Sequence, residues 1–181
     1  MSGDWDRDLT VDLEVIKSSG AKALMTLMEN DELSAVQVPF TELGEKAASL
    51  GLEWHHHLPV RNDDVPDCSF EDVLTYSGLR FRDLLIQGKK VVIHCLGGMG
   101  RTGTIAARLL VEVGASPNDA IRAVRAVRTG AVQTRKQEEP HLCDHLRGNT
   151  GGGCAVTDEL FDHTESRMQS DPQMSCALLQ A

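Results

Sequence analysis

The stretch VVIHCLGGMGRTGT, from Val91 to Thr104, limits what this chain can fold into more than any other segment. The run from Lys89 to Ile93, with consecutive valines and an isoleucine, suits a short strand buried on both faces, as in parallel sheets covered by helices. From Thr102 onward, Ile105, Leu109, Leu110 and Val113 recur at helical spacing, and Gly114 is placed to end that helix. Between strand and helix stand Gly97, Gly98, Gly100 and Gly103, with Cys95 opening the turn and Arg101 inside it. A strand that passes through a glycine-rich turn into a helix exposes backbone N–H groups toward one spot, which is the makings of an anion site.

The rest of the chain fits an α/β fold, a central parallel-rich mixed sheet flanked by helices. Thr10 is placed to cap a helix through Leu13, Val15 and Ile16 that stops at Gly20, and AKALMTLME (Ala21 to Glu29) reads as a buried strand. A second helix is expected from about Thr41 to Leu50, followed by the extended segment LEWHHHLPV. Arg61 to Ser69 is rich in turn formers and reads as a loop. Ser69 and Asp72 resemble a capping box opening a helix with Phe70, Val73, Leu74, Phe81, Leu84 and Leu85 inward, ended by Gly88. Ser116 and Pro117 supply an N-cap and a first-turn proline for a further helix with Ile121, Val124 and Val127 inward. Residues 4–147 are expected to form one domain, and 148–181, which open GNTGGG and show no sustained period, a flexible tail.

A net charge of -9 argues against a general nucleic-acid or anionic-membrane binder, since such surfaces cluster Lys and Arg. No run approaches the roughly 18 apolar residues of a membrane span, and MSGDWDRDLT is too polar for a signal peptide, so a cytoplasmic location is expected. Five cysteines (Cys68, Cys95, Cys143, Cys154, Cys176) are odd in number and lack a CxxC pair, which fits neither a disulfide framework nor a zinc knuckle. His55, His56 and His57 alternate faces if extended and cannot converge on one ion, so packing is the expected role and no metal is expected. Arg122, Arg125 and Arg128 recur every third residue, as on a solvated helix face; the alternative is that they draw phosphorylated partners toward a pocket.

Three readings compete for the turn. Gly98, Gly100 and Gly103 satisfy the dinucleotide pattern GxGxxG, but the acidic residue that should hold a ribose falls where the chain reads as helix, and the pattern leaves Cys95 and Arg101 unexplained. A buried structural cysteine is the plain alternative. The third reading uses every residue type present. Leu96, Gly97, Gly98, Met99 and Gly100 curl so that their amides cradle a phosphate, Arg101 grips two of its oxygens as a planar fork, and the same field holds Cys95 as a thiolate nucleophile. His94 then orients the loop rather than acting as a base, and Thr102 donates its hydroxyl to the sulfur, stabilising the thiolate when it departs.

HCLGGMGRTG resembles the HCxxGxxR[ST] signature of the cysteine-dependent protein tyrosine and dual-specificity phosphatases. WHHHLPV, a loop ending in VPD, and GAVQTRKQ add a likeness to the kinase-associated phosphatase (cyclin-dependent kinase inhibitor 3) group and its bacterial relatives, over about Leu9 to Leu146. The resemblance implies a dual-specificity phosphatase-like catalytic domain, two-step hydrolysis through a cysteinyl phosphate, a phosphorylated protein or peptide substrate, and no cofactor. It implies a loop aspartate as general acid and base, a role worth typically 10²–10⁴-fold. Alignment on the prolines of PVRNDDVPD sets Asn62 where this group usually carries that acid, so Asp63, and next Asp64, is assigned the role, with Asp67 capping the following helix. A solvated loop is the alternative for the whole cluster.

Gln133 and Gln137 resemble the segment bordering the pocket in this group, where Gln137 would help position water; a surface loop is the alternative. Relatives that act on inositol phospholipids tend to carry lysines within the turn, where this chain has Leu96 and Met99, which favours a singly phosphorylated side chain. With Tyr76 as the one tyrosine and 4% aromatic residues, no phosphotyrosine-gripping loop is legible, so dual specificity is expected. Relatives also carry a strand or two before the segment resembling WDRDLTVDLEVI, and a sheet without that edge would expose unpaired backbone groups. Two rivals remain: a non-catalytic phosphoprotein-binding module, suggested by Asn62, and a rhodanese-like sulfur carrier, which would not need an arginine followed by threonine.

Overall fold

The computed structural model describes residues 8–56, 60–61 and 78–138. Its elements, in chain order, are α1 (Leu9–Ser18), β1 (Ala21–Thr26), α2 (Asn30–Ala35), α3 (Phe40–Ser49) and β2 (Glu53–His55), then α4 (helical residues 78–86), β3 (Lys90–His94), α5 (Gly100–Glu112), α6 (Pro117–Val127) and α7 (Arg135–Glu138). The expected loop over 62–69, the start of α4 with its capping box, and the expected tail over 148–181 lie outside the described residues.

Among the described residues β1 is the middle of three strands in the order β2-β1-β3, and both of its partners run parallel to it. That is the α/β arrangement the valine- and isoleucine-rich β3 requires, and β1 is buried along nearly its whole length. The strand expected to run to Glu29 stops at Thr26. A capping box takes over beyond it: Glu29 N–H donates to Glu32 Oε2 at 2.9 Å, and α2, which is not among the expected helices, starts at Asn30.

The cap of α1 is Asp8, not Thr10, because its carboxylate accepts from the N–H groups of both Thr10 and Val11, at 2.7 and 3.2 Å. Leu13 is the buried member of that helix, and Val15 is exposed. On α4, Phe81, Leu84 and Leu85 are buried as the pattern predicts. On α6, Ser116 caps as expected by accepting from Asp119 N–H, but Ala120 takes the inward position with Val124 while Val127 faces out.

Helix α5 begins at Gly100, two residues before the expected start, and packs against β3 and α6 with Gly100 through Leu110 all buried. It is thus an interior helix whose N-terminus opens directly at the end of the sheet. Among the described residues, no helix is long and apolar enough to cross a membrane.

Candidate active site

β3 ends at His94 and hands the chain to Cys95 at the C-terminal edge of the sheet. The following turn bends back on the sulfur: Gly98 has φ 64° and its N–H donates to Cys95 Sγ at 3.2 Å. A left-handed residue is needed there, which explains Gly98. Gly100 answers a milder demand: a Cβ on it would lie 2.9 Å from Gln133 Oε1 and 3.3 Å from the Gln137 amide, so the Gln133 tip would have to move aside. Gly97 meets neither condition, having a negative or extended backbone angle and open space where a Cβ would stand. Met99 is the N-cap of α5 and offers no side-chain acceptor, so the first amides of the helix stay available to an anion. Leu96 is 57% exposed, at the rim of this turn.

Burial acts to raise the Cys95 thiol pKa, but the Thr102 hydroxyl and amide, the Gly98 amide and the Arg101 charge together outweigh it, and the thiol lies below its ordinary value of 9.0. Thr102 Oγ1 is buried beside the sulfur and pairs with no other group among the described residues, which leaves this hydroxyl, one of the groups that lower the thiol, available to the sulfur.

Arg101 is 2% exposed and fixed from behind. Its Nη1 donates to Glu32 Oε2 at 2.6 Å and to Val60 O at 2.9 Å, and Nη2 donates to Glu32 Oε1 at 2.8 Å. This two-point pairing occupies the Nη1–Nη2 end of the guanidinium and, among the described residues, leaves its Nε–Nη2 edge for two phosphoryl oxygens. Glu32 is the functional residue the sequence reading missed. Its signal was the Glu29-x-x-Glu32 spacing, which marks a helix start, but nothing local tied it to an arginine 69 positions away.

His94 Nε2 lies 2.7 Å from Thr26 Oγ1, and Trp54 Nε1 donates to that same oxygen at 2.9 Å. Burial, with the nearby His56 and Arg101 in the same direction, pushes the His94 pKa down to about 4 against the opposing pull of a hydrogen bond to the Cys95 main chain. A ring that stays neutral at pH 7 fits the orienting role expected of it. Trp54 reaches Thr26 only because Gly44 of α3 has no side chain: a Cβ there would stand 2.5 Å from the indole.

The segment after α6 forms the back wall of the turn. Val132 N–H donates to Met99 O at 3.3 Å, and a Cβ on Gly103 would come within 2.7 Å of Val132 N. Val132 sits at φ 56°, a strained conformation for a β-branched residue. Arg125 holds it there, with Nε on Ala131 O at 3.0 Å and Nη2 on Val132 O at 2.9 Å, alongside an ion pair to Glu138. Gln137 is buried, not on a surface loop; its Oε1 accepts from the N–H groups of Gln133 and Thr134 at 3.0 and 3.2 Å beside Gly100.

Arg125 is therefore engaged in structure and Arg122 pairs with Asp119, which leaves the partner-drawing alternative for this helix face without support at those two positions. His55 packs edge-on against Phe81, while His56 contacts Phe40 and Trp54 and has Nε2 2.8 Å from Met28 O, so the two rings occupy opposite faces as alternation predicts. The structure thus gathers His94, Cys95, Leu96 to Gly100, Arg101, Thr102 and Gln137 about one turn. Asp63 and Asp64, with Asn62, Asp67 and His57, lie outside the described residues.

Residues 1–115 match the protein family described as "Tc-R-P: Polymorphic toxin system, DSP-PTPase phosphatase". Cyclin-dependent kinase inhibitor 3 of Rattus norvegicus is 34% identical over 142 residues, which cover 74% of this chain and 62% of that protein. Protein tyrosine phosphatase type IVA 3 of Homo sapiens is 37% identical over 137 residues, covering 71% of this chain and 67% of the relative. Among solved structures, a kinase associated phosphatase whose catalytic-site cysteine is replaced by serine superposes with a TM-score of 0.66 at 30% identity, over 81% of this chain and 80% of the other.

Proposed function

This chain belongs to the DSP-PTPase family of cysteine-dependent phosphatases, and from that premise we propose that it hydrolyses phosphomonoesters on protein Ser, Thr or Tyr side chains through a cysteinyl-phosphate intermediate. The observation that carries the reading is the convergence on Cys95 Sγ of the Gly98 amide, the Thr102 hydroxyl and the Arg101 charge. Those groups serve a thiolate first and a phosphoryl group next.

In the first step the thiolate attacks phosphorus as the bond to the leaving oxygen breaks, and that oxygen takes a proton from an acid assigned to Asp63, or next to Asp64. In the second step water attacks the same phosphorus, gives its proton to that carboxylate, and the sulfur leaves as a thiolate bonded by Thr102. Arg101 and the loop amides carry the oxygen charge in both steps, a role a metal ion fills in other phosphatases. Gln137, tied to the Gln133 and Thr134 amides, lies beside the turn where attacking water would enter. The substrate we assign is a phosphorylated protein or peptide, met in the cytoplasm, where reducing conditions keep the thiol free.

A panel of phosphoserine, phosphothreonine and phosphotyrosine peptides, assayed with wild type beside Cys95→Ser and Asp63→Asn, tests this. Wild type should release phosphate, Cys95→Ser none, and Asp63→Asn should lose about 10²-fold or more on the alkyl phosphates, whose leaving groups need the proton. An unchanged alkyl rate in Asp63→Asn overturns the acid assignment. Asn62 specifically favours the second reading, a phosphoprotein-binding module, and a wild type that binds phosphopeptide yet releases no phosphate would establish that reading in place of the first.

A further inference from the structure

Behind the phosphate loop, the hydrogen bonds of three side chains have a forced direction. Trp54 Nε1 donates to Thr26 Oγ1, and the same oxygen contacts His94 Nε2. An indole N–H only donates, so Thr26 accepts on that side. Thr26 is 0% exposed, and these are the polar neighbours its hydroxyl has among the described residues. Its hydrogen therefore has one acceptor, His94 Nε2; any other arrangement buries an unpaired hydroxyl hydrogen, which folded proteins avoid. An accepting Nε2 carries no proton. The neutral ring then bears its proton on Nδ1, the nitrogen left for the hydrogen bond His94 makes with the Cys95 main chain.

We propose that Trp54 is a positioning residue for the phosphate loop: its indole N–H turns the Thr26 hydroxyl onto His94 Nε2 and thereby fixes the signature histidine in its neutral Nδ1–H form at the junction with Cys95. Protonation of Nε2 would make it a donor to Thr26 Oγ1 and leave the hydroxyl hydrogen buried without an acceptor, so the imidazolium is disfavoured while Trp54 donates. Its neighbours act the same way, since His56 and Arg101 both disfavour a positive ring. The device depends on Gly44 of α3, where a Cβ would stand 2.5 Å from the indole. Neither Trp54 nor Thr26 touches substrate in this scheme; they act through His94, and the consequence for turnover rests on the phosphatase reading above.

The test reads the histidine rather than turnover. In the full chain labelled with nitrogen-15, two-bond proton–nitrogen spectra, with His94 assigned by the loss of its signals in His94→Gln, should show a protonated Nδ1 and an accepting Nε2 at pH 7 and still at pH 5.5. A protonated Nε2 at pH 7 overturns the proposal without any variant. In Trp54→Phe the hydroxyl can turn toward the space of the lost indole nitrogen, and the His94 pKa should rise by about one unit or more, a tenfold change in its protonation equilibrium; an unchanged titration refutes the role of Trp54. Should Trp54→Phe not fold, the smaller changes decide. Thr26→Val should move the Nε2 resonance downfield as an accepting nitrogen stripped of its donor, and Thr26→Ser should restore it, whereas an Nε2 indifferent to the hydroxyl refutes the chain of donors. Absence of phosphate release from a protein with the expected spectra would count against the phosphatase reading and not against this one.

Discussion

Replacing Glu32 by glutamine keeps the shape of the side chain and removes the charge that faces Arg101. The guanidinium, 2% exposed, would keep Val60 O at 2.9 Å and one amide oxygen, while the new amide N–H₂ would confront an Nη donor. Breaking a buried ion pair from one side costs about 3–5 kcal/mol, and Glu32, still 16% exposed, belongs below that range, at about 2–3 kcal/mol. At about 2–4 °C per kcal/mol for a chain of this size, the thermal midpoint should fall by roughly 5–10 °C. Turnover should suffer more than substrate affinity. Loss of one transition-state donor costs on the order of 10²–10³ in kcat, and an arginine that is present but no longer aimed should lose about 10- to 100-fold. Steady-state kinetics on an aryl phosphate and thermal melts by circular dichroism read both effects. A kcat within about twofold of wild type together with a midpoint within about 1 °C would refute the assignment of Glu32 as the support of Arg101. The acid dependence carries a sign as well. The Arg101 hydrogen bond, and after it the Glu29 amide and the Arg101 charge, outweigh burial and hold the Glu32 carboxyl below its ordinary 4.5. A depressed folded-state value contributes stability that is fully present above the unfolded value and is lost as pH falls through the folded one. The gap between wild type and Glu32→Gln should hence be flat above about pH 5 and close on further acidification.

The thiol and the glycines give two further expectations. Iodoacetate should alkylate Cys95 with a pH midpoint below the ordinary thiol value of 9.0, and Thr102→Val should move that midpoint upward; a midpoint at 9 or above contradicts the thiolate. Gly103→Ala drives a Cβ to 2.7 Å from Val132 N and 2.9 Å from Ala131 Cβ and should cost about 1–3 kcal/mol in chemical denaturation, whereas Gly97→Ala, with open space at its Cβ, should leave folding within about 0.5 kcal/mol. Equal effects at the two glycines would contradict the packing described.

The strand, turn and helix from Lys89 to Val113 were legible because each uses a local rule: buried β-branched residues, glycines at a turn, and a helical period ended by Gly114. The same pattern placed Cys95, Arg101 and Thr102 together, since neighbours in a tight turn are neighbours in space. The GxGxxG spacing of Gly98, Gly100 and Gly103 holds a left-handed turn, a near approach of the Gln133 side chain and a close approach of the Val132 backbone, none of which calls for a dinucleotide. What was not legible depends on tertiary contact. Glu32 meets Arg101 across the sheet end, Trp54 meets Gly44 and Thr26 from an edge strand, and Val132 adopts its angle because Met99 and Arg125 hold it. The end of β1 was misread because the apolar run LMTLM continues past Thr26, and the Glu29 cap that stops it leaves a weaker mark than the hydrophobicity that precedes it.

The back wall formed by Ala131 to Gln133 bears on where this unit can be cut. The stretch that matches the family ends at residue 115, yet the carbonyl of Met99, the bare face of Gly103 and the Cα of Gly100 are all covered by side chains and amides from 131–137. A fragment excised at residue 115 would keep the nucleophile and the arginine while stripping the lining from the rear of their loop. Any minimal version of this protein made for screening or transplantation has to run through Glu138.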